Sequence, residues 1–198
     1  MVTSYDHAEM MKRPLTEYGE VSDDQLWEAL EYFLRAVVPV AEETEVKLAM
    51  HPSDPPLSPI RGLARIMTCP NDLQRLIDLY PSPANGITFC QGCFAEMGED
   101  IPDSIRRFGC QKKIFFAHFR DIKGTCESFQ EAFHDDGQTD MVEAMKVYME
   151  TGFDGPMRPD HAPTMEGETN DTPGYAIMGR LFAVGYMKGI LETISRYG

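Results

Sequence analysis

The stretch "KKIFFAHFRDI", from Lys112 to Ile122, decides the fold class of this chain. Its centre is apolar at consecutive positions, which indicates a strand buried on both faces, as in a parallel sheet. Three further strand-like segments lie before and after it: "EVKLAMHP", "NGITFCQG" and "GPMRPDHAP". Helix-like segments alternate with these strands. One helix followed by four strand–helix units predicts an α/β protein with four parallel strands.

The first helix is predicted to begin after Ser22, because Ser22 and Gln25 fit a capping box. Apolar residues recur at helical spacing as far as Val38, and Pro39 is expected to kink or end the helix. Residues 1–21 are polar and show no periodicity. We therefore expect an irregular N-terminal segment over 1–21, followed by one folded unit over 22–198.

The later helices are marked by capping and stop signals. A helix is expected from Asn71, which can cap it, and another in "EDIPDSIRRFG", with Gly109 just past its end. Asp140 can cap the helix that follows it. A long helix from Tyr175 to Tyr197 is predicted to complete the chain, since apolar residues recur along it at helical spacing.

Composition and charge exclude several classes of partner. The net charge is -14, with 18 basic and 32 acidic residues, which argues against nucleic acid and anionic membranes. The longest apolar run, 36–41, is too short to span a bilayer, and the N-terminus has no secretory signal pattern. The chain contains five cysteines, an odd number, at irregular spacing. This pattern predicts reduced thiols and a cytoplasmic location.

A C-x-x-C motif, Cys90 to Cys93, allows three interpretations. A redox pair would lie between a strand and a helix N-terminus, and this motif does follow a strand-like run. A structural zinc site would need a second pair at short spacing, but Cys110 and Cys126 are single. The third interpretation is that Cys90 alone is a ligand and that Cys93 is its neighbour in the following loop.

A residue of metal-binding type stands at the end of each predicted strand: His51, Cys90, His118 and Asp160. The carboxyl ends of parallel strands meet at one edge of a sheet, so these side chains can converge on one ion. Two imidazoles, a thiolate and a carboxylate would close a tetrahedral zinc site and leave no position for a substrate. An ion with five or six ligands leaves room, so Mn²⁺ or Fe²⁺ is favoured, and the thiolate disfavours Mg²⁺.

Three further residues are candidates for the same site. Arg120 should lie on the same side of its strand as His118 and could hold a substrate carboxylate through a bidentate pair. His161 and Tyr175 lie beyond the fourth strand, and both side chains can transfer protons. From the residues alone, a loop histidine and a helix-packing tyrosine are the simpler interpretations of His161 and Tyr175.

Several segments, in order from about residue 14 to the end of the chain, resemble D-mannonate dehydratases, a family of the xylose-isomerase-like group of TIM barrels. They are "LWEALEYFLRAVVPVAEE", "HPSDPP", "SPANGITFCQG", "HFRDIKG", "FHDDGQTDM", "GFDGPMRPDH" and "TPGYAIMGRLFAVGYMKGILE". The resemblance implies dehydration of D-mannonate to 2-keto-3-deoxy-D-gluconate in hexuronate breakdown. It also implies Mn²⁺ or Fe²⁺ on the same four ligands, with acid and base roles for His161 and Tyr175.

The chain departs from the family at two side positions and in length. Ser53 replaces an acidic residue that the family more often has, and Cys93 stands where serine is common. Family chains are nearly twice as long, so this sequence is expected to form the C-terminal half of a (β/α)₈ barrel. Half a barrel leaves strand edges unpaired, so we expect a homo-oligomer or pairing with a complementary N-terminal half.

Three other functions remain open at this point. A non-catalytic half-barrel would bind metal or an N-terminal half without any turnover. A sugar isomerase of the same barrel group is less consistent with the cysteine ligand and with the "RPDH" and "PGY" segments. A C-x-x-C redox protein is the last alternative.

Overall fold

The computed structural model of this protein describes residues 4–197. Its strands are β1 (Ser4–Asp6), β2 (Leu48–Met50), β3 (Asn85–Cys90), β4 (Ile114–His118), β5 (Ile122–Thr125), β6 (Ser128–Glu131) and β7 (Met157–Arg158). Its helices are α1 (His7–Met10), α2 (Asp23–Glu43), α3 (Pro70–Leu79), α4 (Gln91–Glu96), α5 (Ile101–Gly109), α6 (Met141–Glu150) and α7 (Ile177–Tyr197).

The main sheet has four strands in the order β2-β3-β4-β7, and every neighbouring pair is parallel. This arrangement confirms the predicted α/β class and the four-stranded parallel sheet. The register sets Cys90 beside His118, and His118 beside Arg158. The carboxyl ends of the strands therefore lie side by side at one edge, where sites are built in barrels of this type.

The core lies between this sheet and its helices. Strand β3 is buried at every position, since it has a neighbouring strand on each side and apolar groups above and below. Phe89 stacks on Phe94 of α4 with ring centroids 4.1 Å apart, and Phe94 meets Phe108 of α5 edge to face. Helix α6 adds Met145 and Tyr148 to the same cluster. This packing holds the carboxyl ends of β3 and β4 at fixed positions.

A second, antiparallel sheet of three strands, in the order β1-β6-β5, was not predicted from the sequence. Strands β5 and β6 form a hairpin directly after β4, and β1 pairs with β6 through Ser4, Tyr5 and Asp6. The expectation of an irregular segment over 1–21 is therefore wrong for Ser4–Met10, which form a strand and a short helix. Residues 1–3 of that expectation lie outside the described part of the chain.

Helix α2 begins as predicted and continues past its proline. The Ser22 hydroxyl accepts from the Gln25 amide, and the Gln25 side chain accepts from the Ser22 amide, which confirms the capping box. Pro39 lies inside the helix, which ends only at Glu43, so the prediction that Pro39 could end it is wrong. Val38 and Ala41 are buried on either side of Pro39, and this burial favours continuation.

Several other element ends differ from the predictions. Gly109 is the last residue of α5 rather than the residue after it, and α7 begins at Ile177 rather than at Tyr175. Helix α3 starts at Pro70 with Cys69 at the N-cap, so Asn71 does not cap it, because proline is well suited to a first helical turn. Helix α4 begins immediately after Cys90, which places Cys93 in a helix rather than in a loop. No helix within residues 4–197 is long and apolar enough to cross a membrane.

Candidate metal centre

The four strand-end residues come together at the carboxyl edge of the main sheet. His51 follows β2, Cys90 ends β3, His118 ends β4, and Asp160 lies two residues beyond β7. One ligand atom from each residue lies within 4.8 Å of the corresponding atoms of the other three. Cys90, His118 and Asp160 are buried, and His51 is partly buried. The convergence expected from strand order is therefore present.

Hydrogen bonds orient both imidazoles toward the centre of this group. His51 Nδ1 lies 2.7 Å from the Pro52 carbonyl oxygen and donates to it, so Nε2 is the nitrogen that carries a lone pair. His51 Nε2 faces His118 Nδ1 at 3.1 Å, and the same His118 nitrogen lies 3.1 Å from Asp160 Oδ2. Three of the four candidate ligands thus already contact one another through the atoms that would bind an ion.

Asp160 is held by its backbone and by a neighbouring arginine. Its φ angle is 55°, in the left-handed region that aspartate tolerates better than most residues. The guanidinium of Arg158 donates to Asp160 Oδ1, which leaves Oδ2 toward His118. Behind this turn, buried His134 hydrogen bonds through Nε2 to the Pro159 carbonyl oxygen at 3.1 Å. These contacts fix the carboxylate after β7 although that strand is very short.

The charges of the group favour the thiolate of Cys90 and the carboxylate of Asp160, which are the forms of these two residues that bind metals, whereas the same negative charges favour protonated histidines, which must lose a proton to bind. Burial alone would raise the pKa of the Cys90 thiol, but hydrogen bonds from Cys93 and the histidines, with the charge of Arg120, hold this pKa well below its usual range. Burial also opposes charge on His118, yet the hydrogen bond to Asp160 and the Cys90 thiolate raise the pKa of His118 to about 8. The hydrogen bond from His118 in turn lowers the pKa of Asp160, against the effect of burial.

The donor set fits a divalent transition metal. A thiolate, two imidazole nitrogens and a carboxylate oxygen combine soft and borderline ligands, which Mn²⁺, Fe²⁺ and Zn²⁺ accept and which Mg²⁺ does not favour. The group is largely shielded from water. Hydrogen bonds from groups outside the donor set orient its ligands.

Arg120 is fully buried beside this group and makes several contacts with the chain's own acidic residues. Its NH1 donates to Asp54 Oδ2 at 2.7 Å, and its NH2 donates to Glu96 Oε1 at 2.7 Å. Arg120 lies two residues beyond β4, on the side expected from alternation along that strand, since NH1 is also 3.6 Å from Asp160 Oδ2. The role of Arg120 in binding the substrate carboxylate stays a prediction; both of its terminal nitrogens are already paired with acidic side chains inside the protein.

A second cluster of ligand-type residues contains Asp54, Cys93 and Glu96. The guanidinium of Arg120 already lies between its two carboxylates and supplies the positive charge that a cation would bring. Burial raises the pKa of Glu96 to about 9, and the nearby charge of Asp54 adds to this effect. The cluster is therefore an internal hydrogen-bond network around Arg120, in which burial favours the neutral form of Glu96 near pH 7.

His161 and Tyr175 lie together at the open side of the centre. His161 Nε2 is 2.9 Å from the Tyr175 hydroxyl, and Tyr175 is 40% exposed. His161 Nδ1 is 3.0 Å from Glu131 Oε1 and 3.2 Å from Arg120 NH1. A histidine and a tyrosine in direct hydrogen bond, next to a metal-type ligand group, have the geometry of a proton-transfer pair.

Three acidic residues of this region were missed by reasoning from the sequence: Asp54, Glu96 and Glu131. Asp54 lies inside the recognised segment "HPSDPP", and Glu96 lies four residues after "FCQG", but acidic residues in such places are usually on the surface. Glu131 belongs to the hairpin that was not predicted. The one available signal was that Arg120, once inside a sheet, requires buried carboxylates as partners.

A family model and curated relatives of one family match this chain over almost its whole length. The family model described as D-mannonate dehydratase (UxuA) matches residues 3–198. Mannonate dehydratase 2 of Halalkalibacterium halodurans is 45% identical over 197 residues, which are 98% of this chain and 56% of that protein. The mannonate dehydratase of Thermotoga petrophila is 41% identical over 196 residues, which are 97% of this chain and 54% of that protein. The chain thus spans about half the length of the curated relatives it matches.

Solved structures give the same result for the fold. The crystal structure of mannonate dehydratase from Streptococcus suis serotype2 aligns with a TM-score of 0.84 and 36% identity, over 89% of this chain and 51% of that one. A D-tagatose 3-epimerase-like protein aligns with a TM-score of 0.63 at 18% identity, over 92% of this chain and 61% of that one, and supports the fold alone. These likenesses confirm the predicted barrel-type fold and are consistent with a C-terminal half.

Proposed function

This chain belongs to the D-mannonate dehydratase family, and from that premise we propose that it carries the metal-binding part of a site that dehydrates D-mannonate. The product is 2-keto-3-deoxy-D-gluconate, formed during hexuronate breakdown. The observation that carries the proposal is the group of four ligand-type side chains, within 4.8 Å of one another, beside the His161–Tyr175 pair. The reaction class is that of a carbon–oxygen hydro-lyase.

The proposed ligands of the divalent ion are His51, Cys90, His118 and Asp160. We propose Mn²⁺ or Fe²⁺, because these ions accept more than four ligands and so leave room for a substrate. When bound, the ion supplies positive charge next to the substrate carboxylate and a neighbouring hydroxyl, where negative charge develops during the reaction. The chain's own contribution is to hold the carboxylate, thiolate and imidazoles in place and to limit the access of water.

His161 and Tyr175 are the proposed acid and base. The reaction breaks the C2–H bond and the C3–O bond of the sugar acid, and the resulting enol rearranges to the keto acid. One group must take the C2 proton, and another must protonate the departing C3 hydroxyl, which leaves as water. The hydrogen bond of 2.9 Å between the two side chains allows a proton to pass between them. His161 is partly buried and Tyr175 is more exposed, so the tyrosine is the member nearer to solvent.

The location and partners follow from the same premise. We propose a cytoplasmic protein with a small sugar acid as its substrate and with neither nucleic acid nor membrane as a partner. All five cysteines are free thiols, in agreement with a reducing compartment. A second copy of the chain or a complementary N-terminal half is proposed to cover the remaining side of the site, since relatives are about twice as long.

The test is an assay for the keto acid with D-mannonate as substrate. The chain, stripped of metal by a chelator, would be assayed with and without added Mn²⁺, alone and mixed with a matching N-terminal half. We expect activity only with metal, and a loss of at least about 10²-fold in kcat for His161→Ala and Tyr175→Phe. Tyr18→Phe, at an exposed residue, is the matched control. Metal binding without keto acid in any mixture would instead indicate a non-catalytic half-barrel.

A further inference from the structure

Glu131, on the hairpin strand β6, contacts the proposed proton-transfer pair from behind. We propose that Glu131 is a positioning residue that holds the proton of neutral His161 on Nδ1, so that Nε2 accepts a hydrogen bond from the Tyr175 hydroxyl. The catalytic meaning of this arrangement rests on the proposed function. The proton position itself does not, and it is measured separately below.

The contact distances define a line of three groups. Glu131 Oε1 is 3.0 Å from His161 Nδ1, and His161 Nε2 is 2.9 Å from the Tyr175 hydroxyl. An ionised carboxylate can only accept hydrogen bonds, so its contact with Nδ1 requires a proton on that nitrogen. A neutral imidazole with a proton on Nδ1 has its lone pair on Nε2. The tyrosine hydroxyl must then be the donor toward Nε2.

Arg120 favours the opposite arrangement, with the proton of neutral His161 on Nε2. The contact with Glu131 therefore determines which nitrogen carries the proton. Arg120 NH1 is 3.2 Å from the same Nδ1, and a guanidinium can only donate. If Nδ1 accepted from Arg120, the imidazole proton would move to Nε2 and the tyrosine oxygen would become the acceptor. Nδ1 can therefore either donate to the carboxylate or accept from the guanidinium, and these two hydrogen bonds place the imidazole proton on different nitrogens.

Other contacts favour the hydrogen bond between His161 Nδ1 and Glu131 over the one with Arg120. Arg120 NH1 already donates to Asp54, and its NH2 already donates to Glu96, each at 2.7 Å. Burial raises the pKa of Glu131, but the hydrogen bond with His161 and the charge of Arg120, whose NH2 is 3.5 Å from Glu131 Oε1, act against burial and stabilise the ionised carboxylate. Within residues 4–197, Glu131 Oε2 has no hydrogen-bond partner, so Oε1 is the oxygen that is engaged with His161.

The hairpin gives Glu131 a fixed position. Glu131 pairs with Ile122 in the ladder between β5 and β6, and its side chain is only 1% exposed. Ile122 is fully buried, and Phe129, two residues before Glu131, is also in the core. A carboxylate on a paired strand with buried neighbours has little freedom to turn away from His161. This rigidity is what a positioning residue needs.

The experiment measures the proton position directly in the full chain. Two-bond ¹H–¹⁵N correlation spectra of the metal-free, ¹⁵N-histidine-labelled protein distinguish protonated Nδ1 from protonated Nε2 in each neutral ring. We expect neutral His161 to carry its proton on Nδ1. Glu131→Met removes the acceptor at similar size, so the proton should move to Nε2, with Arg120 donating to Nδ1. Glu131→Gln keeps an acceptor oxygen and should keep the wild-type pattern.

Glu96→Met is the matched control, because it removes another buried carboxylate from Arg120 without touching His161. This variant should leave the His161 proton on Nδ1. Wild-type His161 with its proton on Nε2, or an unchanged proton position in Glu131→Met, would overturn the proposal. If Glu131→Met does not fold, the wild-type and Glu131→Gln spectra still decide.

Turnover provides an independent second readout. In any assembly that dehydrates D-mannonate, Glu131→Met should lower kcat by about 10²-fold with little change in KM, and Glu131→Gln should restore most of the rate. A large rise in KM with unchanged kcat would contradict a role in proton transfer. A correct proton position without dehydratase activity in any assembly would refute the proposed function and leave the placement of the proton intact.

Discussion

Arg120 is the largest fully buried side chain in the described part of the chain. Its positive charge lies among the carboxylates of Asp54, Glu96, Glu131 and Asp160, each within 4.0 Å of a guanidinium nitrogen. Removing such a charge would leave several buried carboxylates without compensation, at a cost of about 3–5 kcal/mol in comparable cases. Arg120 therefore sets the charge balance of the centre rather than presenting a free face to a ligand.

Gly92 is required by the position of Arg120. A Cβ atom at residue 92 would lie 2.1 Å from Arg120 Nε. We expect Gly92→Ala to displace the guanidinium and to lower the free energy of unfolding by about 1–3 kcal/mol, although alanine normally favours a helix. Chemical denaturation measures this change.

Gly185→Ala in α7 is the matched control, because a Cβ there meets no atom within 4 Å. It should be neutral or stabilise the protein by up to about 1 kcal/mol. Equal effects of the two variants would show that the crowding at Gly92 has no energetic consequence.

Cys90 can be tested as a ligand without any assay of activity. We expect Cys90→Ala to weaken Mn²⁺ binding by more than about 10²-fold, since loss of contacts around the ligands alone often costs 10–100-fold. Isothermal titration calorimetry of the metal-free chain measures the affinity. Cys110→Ala removes an exposed thiol outside the centre and should bind as the wild type does. Comparable affinity in both variants would remove Cys90 from the ligand set.

The small antiparallel sheet links the N-terminal segment to the proposed site. Tyr5 of β1 stacks on Phe129 of β6 with ring centroids 6.1 Å apart, and the backbone of β1 pairs with β6 along its length. The hairpin of β5 and β6 carries Glu131, so the first described residues brace the strand that contacts His161. The irregular-looking start of the sequence thus contributes to the geometry of the site.

Loss of the Tyr5 ring should loosen this hairpin specifically. For Tyr5→Ala we expect amide hydrogen exchange in 122–131 to accelerate by about tenfold or more, since a packed aromatic pair contributes about 1 kcal/mol beyond its buried area. Hydrogen-exchange mass spectrometry locates the change. Tyr18→Ala, at a residue that is 71% exposed, is the control and should leave 122–131 unchanged. Uniform acceleration throughout the chain would indicate global destabilisation instead.

The elements that could be predicted are those with strong patterns. Strands β3 and β4 are apolar and buried over their length, and the capping box of α2 is a local signal. The hairpin was missed because each of its strands has only four residues and most side chains of β5 are exposed. Strand β7 is limited to two residues, because prolines at 156 and 159 remove backbone donors on both sides.

The candidate ligands could be predicted because each stands at a strand end, where sequence position and spatial position agree. Glu131 and Glu96 could not, since Glu131 lies on the hairpin strand β6 and Glu96 at the end of the short helix α4, and tertiary contacts determine where both elements lie. The burial of Arg120 was likewise hidden, because its partners Asp54 and Glu96 lie on two other segments, 66 and 24 residues away in sequence. Alternation along β4 predicts the side on which Arg120 lies but not what surrounds it.

At the scale of the whole molecule, the main sheet has two unpaired edges within residues 4–197. Strands β2 and β7 each have a neighbour on one side only. Helix α7 also exposes a row of large apolar side chains: Ile177, Leu181, Val184 and Leu191. Open strand edges and a continuous apolar helix face favour association with another chain.

We therefore expect the purified chain to associate at micromolar concentration. Size-exclusion chromatography with light scattering should give a mass above 22.4 kDa that falls on dilution. The double variant Ile177→Glu/Leu181→Glu should shift the protein toward the monomer, because it places charge in the apolar row. Tyr18→Glu, at another exposed site, is the control and should not. A monomer at all concentrations would show that these surfaces are compatible with solvent.

The hairpin between β4 and α6 has an evolutionary consequence. It is a ten-residue insertion, Ile122–Glu131, between two elements of the barrel fold. Its last residue places a carboxylate next to His161 Nδ1. A lineage could exchange or reshape such an insertion without disturbing the strands that bear the four candidate ligands. Proteins with the same strands could then diverge in chemistry through one small module, while the ancestral framework of the fold is inherited unchanged.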